Sequence, residues 1–469
     1  MTVSPAITVI GCDGGPLSRP AAAALAAARC VAGAPRHLAV VALPDGVELV
    51  RFGAAEAGPP QAGDGGGASR QGGMTGRQPA SARGGAASAM DAAISAILAH
   101  QGPVAVLASG DPGFFGIVRA LVARGATPGV IPATSSVALA FARLGLPWED
   151  ALVLSAHGRA AQPVLAAALG CGKAAIFTAP GPTAGPERFI PALLAAGRLV
   201  YVAECLGAPG ERVTRVTARQ AEFADPNLVI ALDPAGAAGA PGGARARDSD
   251  DRRARNGAAR GRDVRGGHEP DGSARGARWM AGHLGAPDGW ALPEDAFAHR
   301  DSMITKAEVR ALVLARLGPG PGRTVWDIGS GSGSVAVECA RFGAHVIAIE
   351  GDPAQCARIR ANAAAHGVRL QLAEGHAPGV FAGLLPADAV FAGGGGDAAL
   401  AAVAAAHPPR VVVALASVDR VRTVRDLLAD EGYEVDGTAL QASRLAALPG
   451  GSIRLAAANP VFVLWGNLR

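Results

Sequence analysis

The sequence predicts an α/β protein whose helices cover largely parallel sheets. Apolar strand-like segments alternate with helix-like segments along most of the chain, a pattern typical of parallel sheets. Glycine and alanine are abundant while aromatic residues make up only 4%, which favours small-residue helices packed on sheets. At 469 residues the chain exceeds one ordinary domain, so we expect two or three.

Two low-complexity segments indicate the domain organisation. Residues 241–278 contain ten arginines and six acidic residues, which accounts for the formal net charge of +4. This stretch lacks a hydrophobic period, so we interpret it as a solvated linker and not as an RNA-binding arm. Residues 57–88 are rich in glycine and are predicted to be a disordered insertion. The predicted organisation is a first domain, 1–234, a disordered linker, 235–284, and a second domain, 285–469.

Composition also bounds the cellular context. The six cysteines form no C-x-x-C pair, so neither a disulfide framework nor a metal site is expected. No signal peptide and no apolar run of membrane-spanning length are apparent. We therefore expect a cytoplasmic enzyme without a membrane partner. The basic balance belongs to the linker alone, so we expect no nucleic-acid partner either, and we expect a homo-oligomer.

The elements of the first domain follow from its apolar runs. Because such runs alternate with helix-like stretches, its sheet is predicted to be largely parallel, with ligands at the carboxyl ends of the strands. Helices are expected within 20–33 and 114–125. The predicted strands are 7–11, 104–110, 128–133, 151–156, 174–179, 199–204 and 227–232.

The second domain repeats the alternation more regularly and is predicted to be a doubly wound, Rossmann-like α/β domain. A helix is expected at 305–317. The predicted strands are 324–329, 344–351, 369–375, 387–396, 410–417, 433–440 and 459–466.

The stretch VWDIGSGSGSVAVECA, residues 325–340, is a strand, a turn with three glycines and a small-residue helix. Gly329, Gly331 and Gly333 let a ligand approach the backbone closely. A dinucleotide site is one alternative, because Gly331, Gly333 and Ala336 match G-x-G-x-x-A, and the chain would then be an NAD-dependent dehydrogenase. Asp327 favours a different ligand, one with a cationic group, since a carboxylate at the strand end attracts such a group and repels a pyrophosphate.

Two further residues indicate which groups the rest of this ligand carries. Glu350 ends the next strand, where its carboxylate can accept hydrogen bonds from ribose hydroxyls. Ala377 follows the third strand and can frame an adenine ring. An adenosine with a zwitterionic amino-acid tail and no phosphate is S-adenosylmethionine.

Both domains resemble one known family. M-x-T-K-x-E-V-R at 303–310, D-x-G-x-G-x-G at 327–333 and the glycine run 393–396 resemble the class I methyltransferase half of the decarboxylating precorrin C(5,15)-methyltransferases. In the first domain, ITVIGCDGG (7–15), ASGDPGFFG (108–116) and ECLGAPGERV (204–213) resemble the two-lobed tetrapyrrole methylase domain of the same fused enzymes.

The resemblance implies an activity and its sites. The activity is methylation of precorrin-6Y (or 6B) at carbons 5 and 15 with decarboxylation of the ring C acetate, giving precorrin-8 in cobalamin biosynthesis. It implies a tetrapyrrole substrate and one S-adenosylmethionine site per domain, with no metal. The implied cofactor residues are Gly11, Ser109, Gly110, Asp111, Pro112, Thr134 and Ser135 in the first domain and Thr305, Asp327, Gly329, Ser330, Gly331, Ser332, Gly333, Glu350 and Ala377 in the second.

Other interpretations of these residues stay open. Thr305 begins T-K-A-E, which is a capping box with Glu308. Asp111 and Pro112 also fit the N-cap and first position of an ordinary helix. The first domain is alternatively a module that only holds substrate. No catalytic residue is assigned.

Overall fold

The computed structural model describes residues 6–52, 82–157, 159–218, 222–234, 280–281, 287, 289–300 and 304–469. The fold is α/β, as predicted. The described residues fall into two compact units, one within Met1–Leu144 and Cys205–Arg212, the other within Gly145–Glu204 and Val213–Arg469. Within the described part, no helix combines the length and hydropathy needed to cross a bilayer.

The first unit contains a five-stranded parallel sheet in the order β3-β2-β4-β1-β5. The helix predicted across 20–33 is wrong at its end, where β2 pairs with β3 and β4. Buried pairing on both sides overrides the helical preference of the alanine-rich sequence before it. The elements are β1 Ile7–Cys12, α1 Arg19–Ala26, β2 Cys30–Gly33, α2 Pro35–Leu38, β3 Glu48–Arg51, α3 Ala82–Ala99, β4 Val104–Ser109, α4 Ile117–Val122, β5 Gly129–Ile131 and α5 Ser136–Leu144.

The second unit begins with a six-stranded sheet in the order β11-β6-β7-β10-β8-β9. Only β6 and β7 are recorded as a parallel pair, while β10 runs antiparallel to β7 and β8, so the prediction of a largely parallel sheet is wrong here. The described residues between β8 and β10 include no crossover helix, which a parallel connection requires. The elements are β6 Leu152–Ser155, α6 Ala161–Gly170, β7 Lys173–Phe177, α7 Pro186–Ala195, β8 Leu199–Glu204, β9 Arg212–Val216, β10 Asn227–Leu232 and β11 Met280–Ala281.

A seven-stranded sheet follows in the order β14-β13-β12-β15-β16-β20-β17, in which only β20 runs against its neighbours. Val325 and Trp326 bury opposite faces of β12 in two separate cores, as in a doubly wound sheet. The order brings the carboxyl ends of β12, β13 and β15 together. The elements are α8 Ala307–Leu317, β12 Thr324–Ile328, α9 Ser334–Arg341, β13 His345–Glu350, α10 Pro353–Ala365, β14 Gln371–Glu374, β15 Ala389–Ala392, α11 Gly396–Ala405, β16 Arg410–Leu415, α12 Asp419–Asp430, β17 Tyr433–Leu440 and β20 Val461–Leu468.

A two-stranded hairpin between β17 and β20 was not predicted. It consists of β18 Ser443–Ala447 and β19 Ile453–Ala457. Leu445 and Leu455 are cross-strand partners on a face that is exposed. On the opposite face, Arg444 pairs with Glu294 and Glu308, at distances of 2.7 to 2.8 Å. These ion pairs attach the hairpin to the start of α8.

The predicted insertion and linker lie mostly outside the described residues. The structure places residues 82–88, at the end of the predicted insertion, in α3. Alanines dominate the sequence from 86 to 93, and alanine has the highest helix propensity. Likewise β11 lies within the predicted linker and pairs with β6.

Candidate cofactor sites

The glycine turn joins β12 to α9. The carbonyl oxygen of Ile349 at the end of β13 accepts hydrogen bonds from the amides of Gly329 and Ser330, at 3.0 and 3.2 Å. Gly329, Gly331 and Gly333 have φ values of +65°, +58° and +78°, which L side chains rarely adopt. The predicted strand, turn and helix are therefore confirmed.

The three glycines are required for different reasons. A Cβ on Gly329 would lie 2.8 Å from the Cα of Gly394, in the glycine run after β15. A Cβ on Gly333 would lie 3.0 Å from Cγ1 of Ile359 on α10. A Cβ on Gly331 would have no described heavy atom within 4 Å beyond its chain neighbours. Packing therefore accounts for two of the glycines, and only Gly331 faces open space.

Asp327 holds the turn from inside the protein. Its Oδ2 accepts hydrogen bonds from Oγ of Ser330 at 2.7 Å and from the amide of Ala336 at 3.0 Å. Burial raises the pKa of Asp327 to about 6 despite these hydrogen bonds. Its Oδ1 is buried and has no hydrogen-bond partner among the described residues. One carboxylate oxygen thus stabilises the turn, while the other is buried without a hydrogen bond to any residue that the structure describes.

Glu350 lies over the same turn at the tip of β13. Its Oε2 accepts a hydrogen bond from the amide of Gly331 at 2.8 Å, and its Oε1 accepts from Gly351 and Asp352, both at 2.9 Å. Both lone pairs of Oε1 are thus occupied, while Oε2 has one left for a ligand hydroxyl. The structure therefore brings Asp327, the glycine turn and Glu350 together, as the sequence predicts.

Ala377 lies at the same edge of the sheet, beyond β14. The amide of Gly375 donates to the backbone carbonyl of Glu350 at 2.8 Å. The ring of His376 packs on Gly351 so closely that a Cβ there would lie 2.3 Å from it. Ala377 itself is partly buried against the core below Trp326.

Thr305 does not form the predicted capping box. The N-cap of α8 is Lys306, without a side-chain cap, and Oε1 of Glu294 accepts the amide of Ala307 at 2.9 Å instead. Glu308 is held by the hairpin arginine described above, so the expected reciprocal cap is wrong. No recorded hydrogen bond within the described part joins Thr305 to the glycine turn.

A buried ion pair next to Thr305 was missed. Arg310 and Glu338 are both fully buried, with Nε and Oε1 3.2 Å apart. Arg310 also donates to the carbonyl of Thr305 at 2.5 Å, and Glu338 accepts the amide of Leu292 at 2.7 Å. Arg310 ends the M-x-T-K-x-E-V-R motif, so the sequence drew attention to it. The sequence did not indicate that Glu338, 28 residues later, is its partner. The pair fixes the segment that carries Thr305.

Ser332 is also held by a residue that the sequence did not reveal. Its side chain is buried, and its carbonyl accepts a hydrogen bond from Nδ2 of Asn362 at 2.7 Å. Asn362 exchanges two further hydrogen bonds with the backbone of Ala298. Ser332 is therefore held in place on the buried side of the turn.

The dehydrogenase alternative is wrong on this geometry. A dinucleotide pyrophosphate binds to the free amides at the start of the helix after the glycine turn. Here the amide of Ala336, in the first turn of α9, donates to Asp327. A buried carboxylate thus occupies the position where an anionic phosphate would need donors.

Three loops of the first unit meet at the carboxyl ends of β1, β4 and β5. A Cβ on Gly11 would lie 2.2 Å from the carbonyl oxygen of Gly110 and 2.5 Å from the amide nitrogen of Ala133. A Cβ on Gly110 would lie 3.1 Å from the Cα of Ser135. The predicted residues Gly11, Gly110, Thr134 and Ser135 therefore come together through backbone contacts.

A cavity of 310 Å³ opens beside these loops. Gly11, Asp13, Ser18 and Thr134 are among the residues that line it. Asp13, which we did not single out, accepts hydrogen bonds from the amides of Gly15 at 3.1 Å and Thr134 at 3.2 Å. Burial alone would raise its pKa, but these hydrogen bonds outweigh burial and lower it. The cavity wall thus carries an ionised carboxylate at neutral pH.

Two of the predicted side chains, Ser135 and Asp111, form hydrogen bonds with backbone amides a few residues away. Oγ of Ser135 accepts the amide of Ala138 at 3.1 Å, which caps α5. Oδ1 of Asp111 accepts the amide of Gly113 at 2.9 Å. Helix α4 begins only at Ile117, after N-cap Gly116, so the alternative in which Asp111 and Pro112 start a helix is wrong.

Comparisons with known proteins find a matching methylase or methyltransferase family for each half of the chain. A family model described as tetrapyrrole (corrin/porphyrin) methylases matches residues 10–222, and one described as precorrin methyltransferase domain matches residues 295–465.

Curated relatives carry the same description. A precorrin-6Y C(5,15)-methyltransferase [decarboxylating] of Sinorhizobium sp is 35% identical over 66% of this chain, and the protein of that name from Mycobacterium tuberculosis is 33% identical over 62%. A probable cobalt-precorrin-6B C(15)-methyltransferase (decarboxylating) of Pyrobaculum aerophilum is 33% identical over 37% of this chain and 93% of its own length. The matched regions span 66% and 63% of the lengths of the Sinorhizobium and Mycobacterium proteins.

Proposed function

This chain belongs to the precorrin methyltransferase family, and from that premise we propose that it methylates a precorrin ring at carbons 5 and 15 and decarboxylates the ring C acetate. The substrate proposed is precorrin-6Y or 6B and the product precorrin-8. The proposed domains are residues 1–234 and 285–469, the first acting at carbon 5 and the second at carbon 15. A cytoplasmic location and the lack of a nucleic-acid partner stay predictions.

The observation that carries the proposal is the group formed by Asp327, Gly331 and Glu350. The open space at Gly331 allows a ligand to reach the backbone, and the unpartnered Oδ1 of Asp327 suits an ammonium group or its bound water. Glu350 has one lone pair left, on Oε2, for a ribose hydroxyl. These residues fit S-adenosylmethionine, with Ala377 proposed beside the adenine.

The first domain is proposed to hold a second molecule of S-adenosylmethionine at the loops carrying Gly11, Ser109 to Pro112, and Thr134 to Ser135. The ionised Asp13 in the adjoining cavity supports this proposal, because it attracts a ligand with positive charge. The close packing of Gly11 on Gly110 keeps the loops in one fixed arrangement.

The protein's contribution to methyl transfer is positioning. S-adenosylmethionine supplies a methyl group activated by the positive sulfur, and an electron-rich tetrapyrrole carbon is already a nucleophile. Fixed loops that align the two reactants contribute effective molarities of about 10⁵ M or more. The buried Arg310 and Glu338 pair and the carboxylate of Asp327 serve this role by keeping the second site rigid.

Mass spectrometry of a single incubation tests the proposal. The full chain, with purified hydrogenated precursor and S-adenosylmethionine, should yield a product heavier by two methyl groups and lighter by one carboxyl group. Glu350→Gln should stop one methylation and Asp13→Asn the other, while Glu434→Gln on exposed β17 serves as the matched control. Two methylations in Asp13→Asn but none in Glu350→Gln would favour a first domain that only holds substrate. No methylated product from the unaltered chain would refute the proposal.

We also propose that the chain forms a homo-oligomer through the hairpin. Leu445, Ile453 and Leu455 are 72%, 65% and 66% exposed on one face of β18 and β19. A two-stranded hairpin is marginal by itself, and an apolar face of this kind is buried most simply against its own copy. Leu455→Glu should lower the mass measured by light scattering at unchanged circular dichroism. An unchanged mass would refute the interface.

A further inference from the structure

Helix α2 brings two side chains to the end of β4. Nε2 of His37 lies 3.0 Å from Oγ of Ser109, and Arg36 donates to the same oxygen through a guanidinium nitrogen at 3.2 Å. His37 is 9% exposed, whereas Arg36 and Ser109 are exposed. No ion pair between Arg36 and a carboxylate is recorded among the described residues. An exposed cation and an exposed hydroxyl thus share one edge of the parallel sheet.

The tautomer of His37 decides where the hydroxyl proton of Ser109 points. Burial, together with the charge of Arg36, lowers the pKa of His37 to about 4, so the ring is neutral at pH 7 and carries one N–H. Its Nδ1 is buried and has no partner among the described residues. An unpaired buried donor is rarer than an unpaired acceptor, so the proton belongs on Nε2. Nε2–H therefore donates to Ser109.

These two hydrogen bonds fix the direction in which the Ser109 hydroxyl can donate. Oγ of Ser109 accepts from both Arg36 and His37, so both of its lone pairs are occupied. Its own proton is left to donate to a group outside the protein. Beside it, the remaining N–H groups of Arg36 supply positive charge.

We propose that Arg36 and Ser109 form a binding site for a ligand carboxylate, with His37 as the positioning residue that turns the Ser109 hydroxyl outward. This inference rests on the proposed function, which supplies two ligands that carry carboxylates. One is the methionine end of S-adenosylmethionine, and the other is an acid side chain of the tetrapyrrole. A guanidinium N–H and a hydroxyl together give a carboxylate two hydrogen bonds.

Binding and kinetics of the full chain distinguish the two sources. Arg36→Ala and Ser109→Ala are compared with Arg422→Ala, which removes the same charge from exposed α12. Losing a hydrogen bond to a charged group weakens binding about tenfold or more. If the site holds the tetrapyrrole, the KM for the precursor rises by that factor while calorimetric titration with S-adenosylhomocysteine is unchanged. If it holds the methionine carboxylate, the S-adenosylhomocysteine isotherm weakens instead.

Two outcomes would overturn the site. One is an active chain in which both variants match Arg422→Ala in KM and in the isotherm. The other is a nitrogen-15 NMR spectrum that shows the proton of His37 on Nδ1. His37→Gln, whose side-chain amide can still donate, should leave unchanged whichever of the two quantities responds to Arg36→Ala and Ser109→Ala, the KM for the precursor or the S-adenosylhomocysteine isotherm. His37→Leu should weaken that same quantity with little change in kcat, and equal values of it for these two variants also contradict the role. Absence of any product from the unaltered chain would refute the proposed function, whereas the NMR result does not depend on it.

Discussion

Alanine at Gly331 separates the ligand-facing glycine from the two that pack against protein. At φ +58° an L residue costs about 1 to 2 kcal/mol, and no described atom obstructs the added methyl group. Gly329→Ala carries the same strain plus a contact of 2.8 Å with the Gly394 backbone, which cannot move as a side chain can. We expect its free energy of unfolding to fall by about 3 kcal/mol or more. Gly367 provides the control, since it has φ +62° and equally open space in the loop after α10.

The assay pairs urea unfolding, followed by tryptophan fluorescence, with calorimetric titration of S-adenosylhomocysteine into the full chain. Gly331→Ala and Gly367→Ala should lose similar stability, but only Gly331→Ala should weaken the second-domain site, by about tenfold or more, because its methyl group fills space that the ligand needs. Equal binding by the two variants would refute the idea that Gly331 faces the cofactor.

The remaining predictions concern charge. Because burial raises the pKa of Asp327 from 3.8 to about 6, the folded state holds this proton more tightly, and stability should fall as pH rises from about 4 to about 6. Asp327→Asn should remove that slope in urea unfolding, and a persistent slope contradicts the assignment. The hydrogen bonds from Arg444 outweigh burial and lower the pKa of Glu294 to about 2, so stability present above pH 4.5 should be lost as pH falls towards 2. Arg444→Ala should return the pKa towards 4.5 in a carbon-13 NMR titration, whereas Arg454→Ala on the same face should not; a low pKa in both variants would exclude Arg444 as its cause.

Local patterns predicted most elements of the second domain. Strand β17 occupies residues 433–440, the range predicted, because Tyr433 and Val435 alternate with acidic residues directly after the turn residue Gly432. Strand β2 and the hairpin were missed. Their sequences are alanine-rich and carry little periodic signal, so pairing with neighbouring strands decides their conformation.

The same division applies to the candidate sites. By itself, the sequence determined that Asp327, the glycine turn and Glu350 follow neighbouring strands, since strand ends can be read from short-range patterns and adjacent parallel strands end at one edge. Only the tertiary structure decided that Gly329 meets Gly394, that Asp13 binds the amide of Thr134 121 residues away, and that His37 reaches Ser109. Such contacts depend on strand order and loop packing, and a local pattern does not encode which distant backbone will arrive at a given side chain.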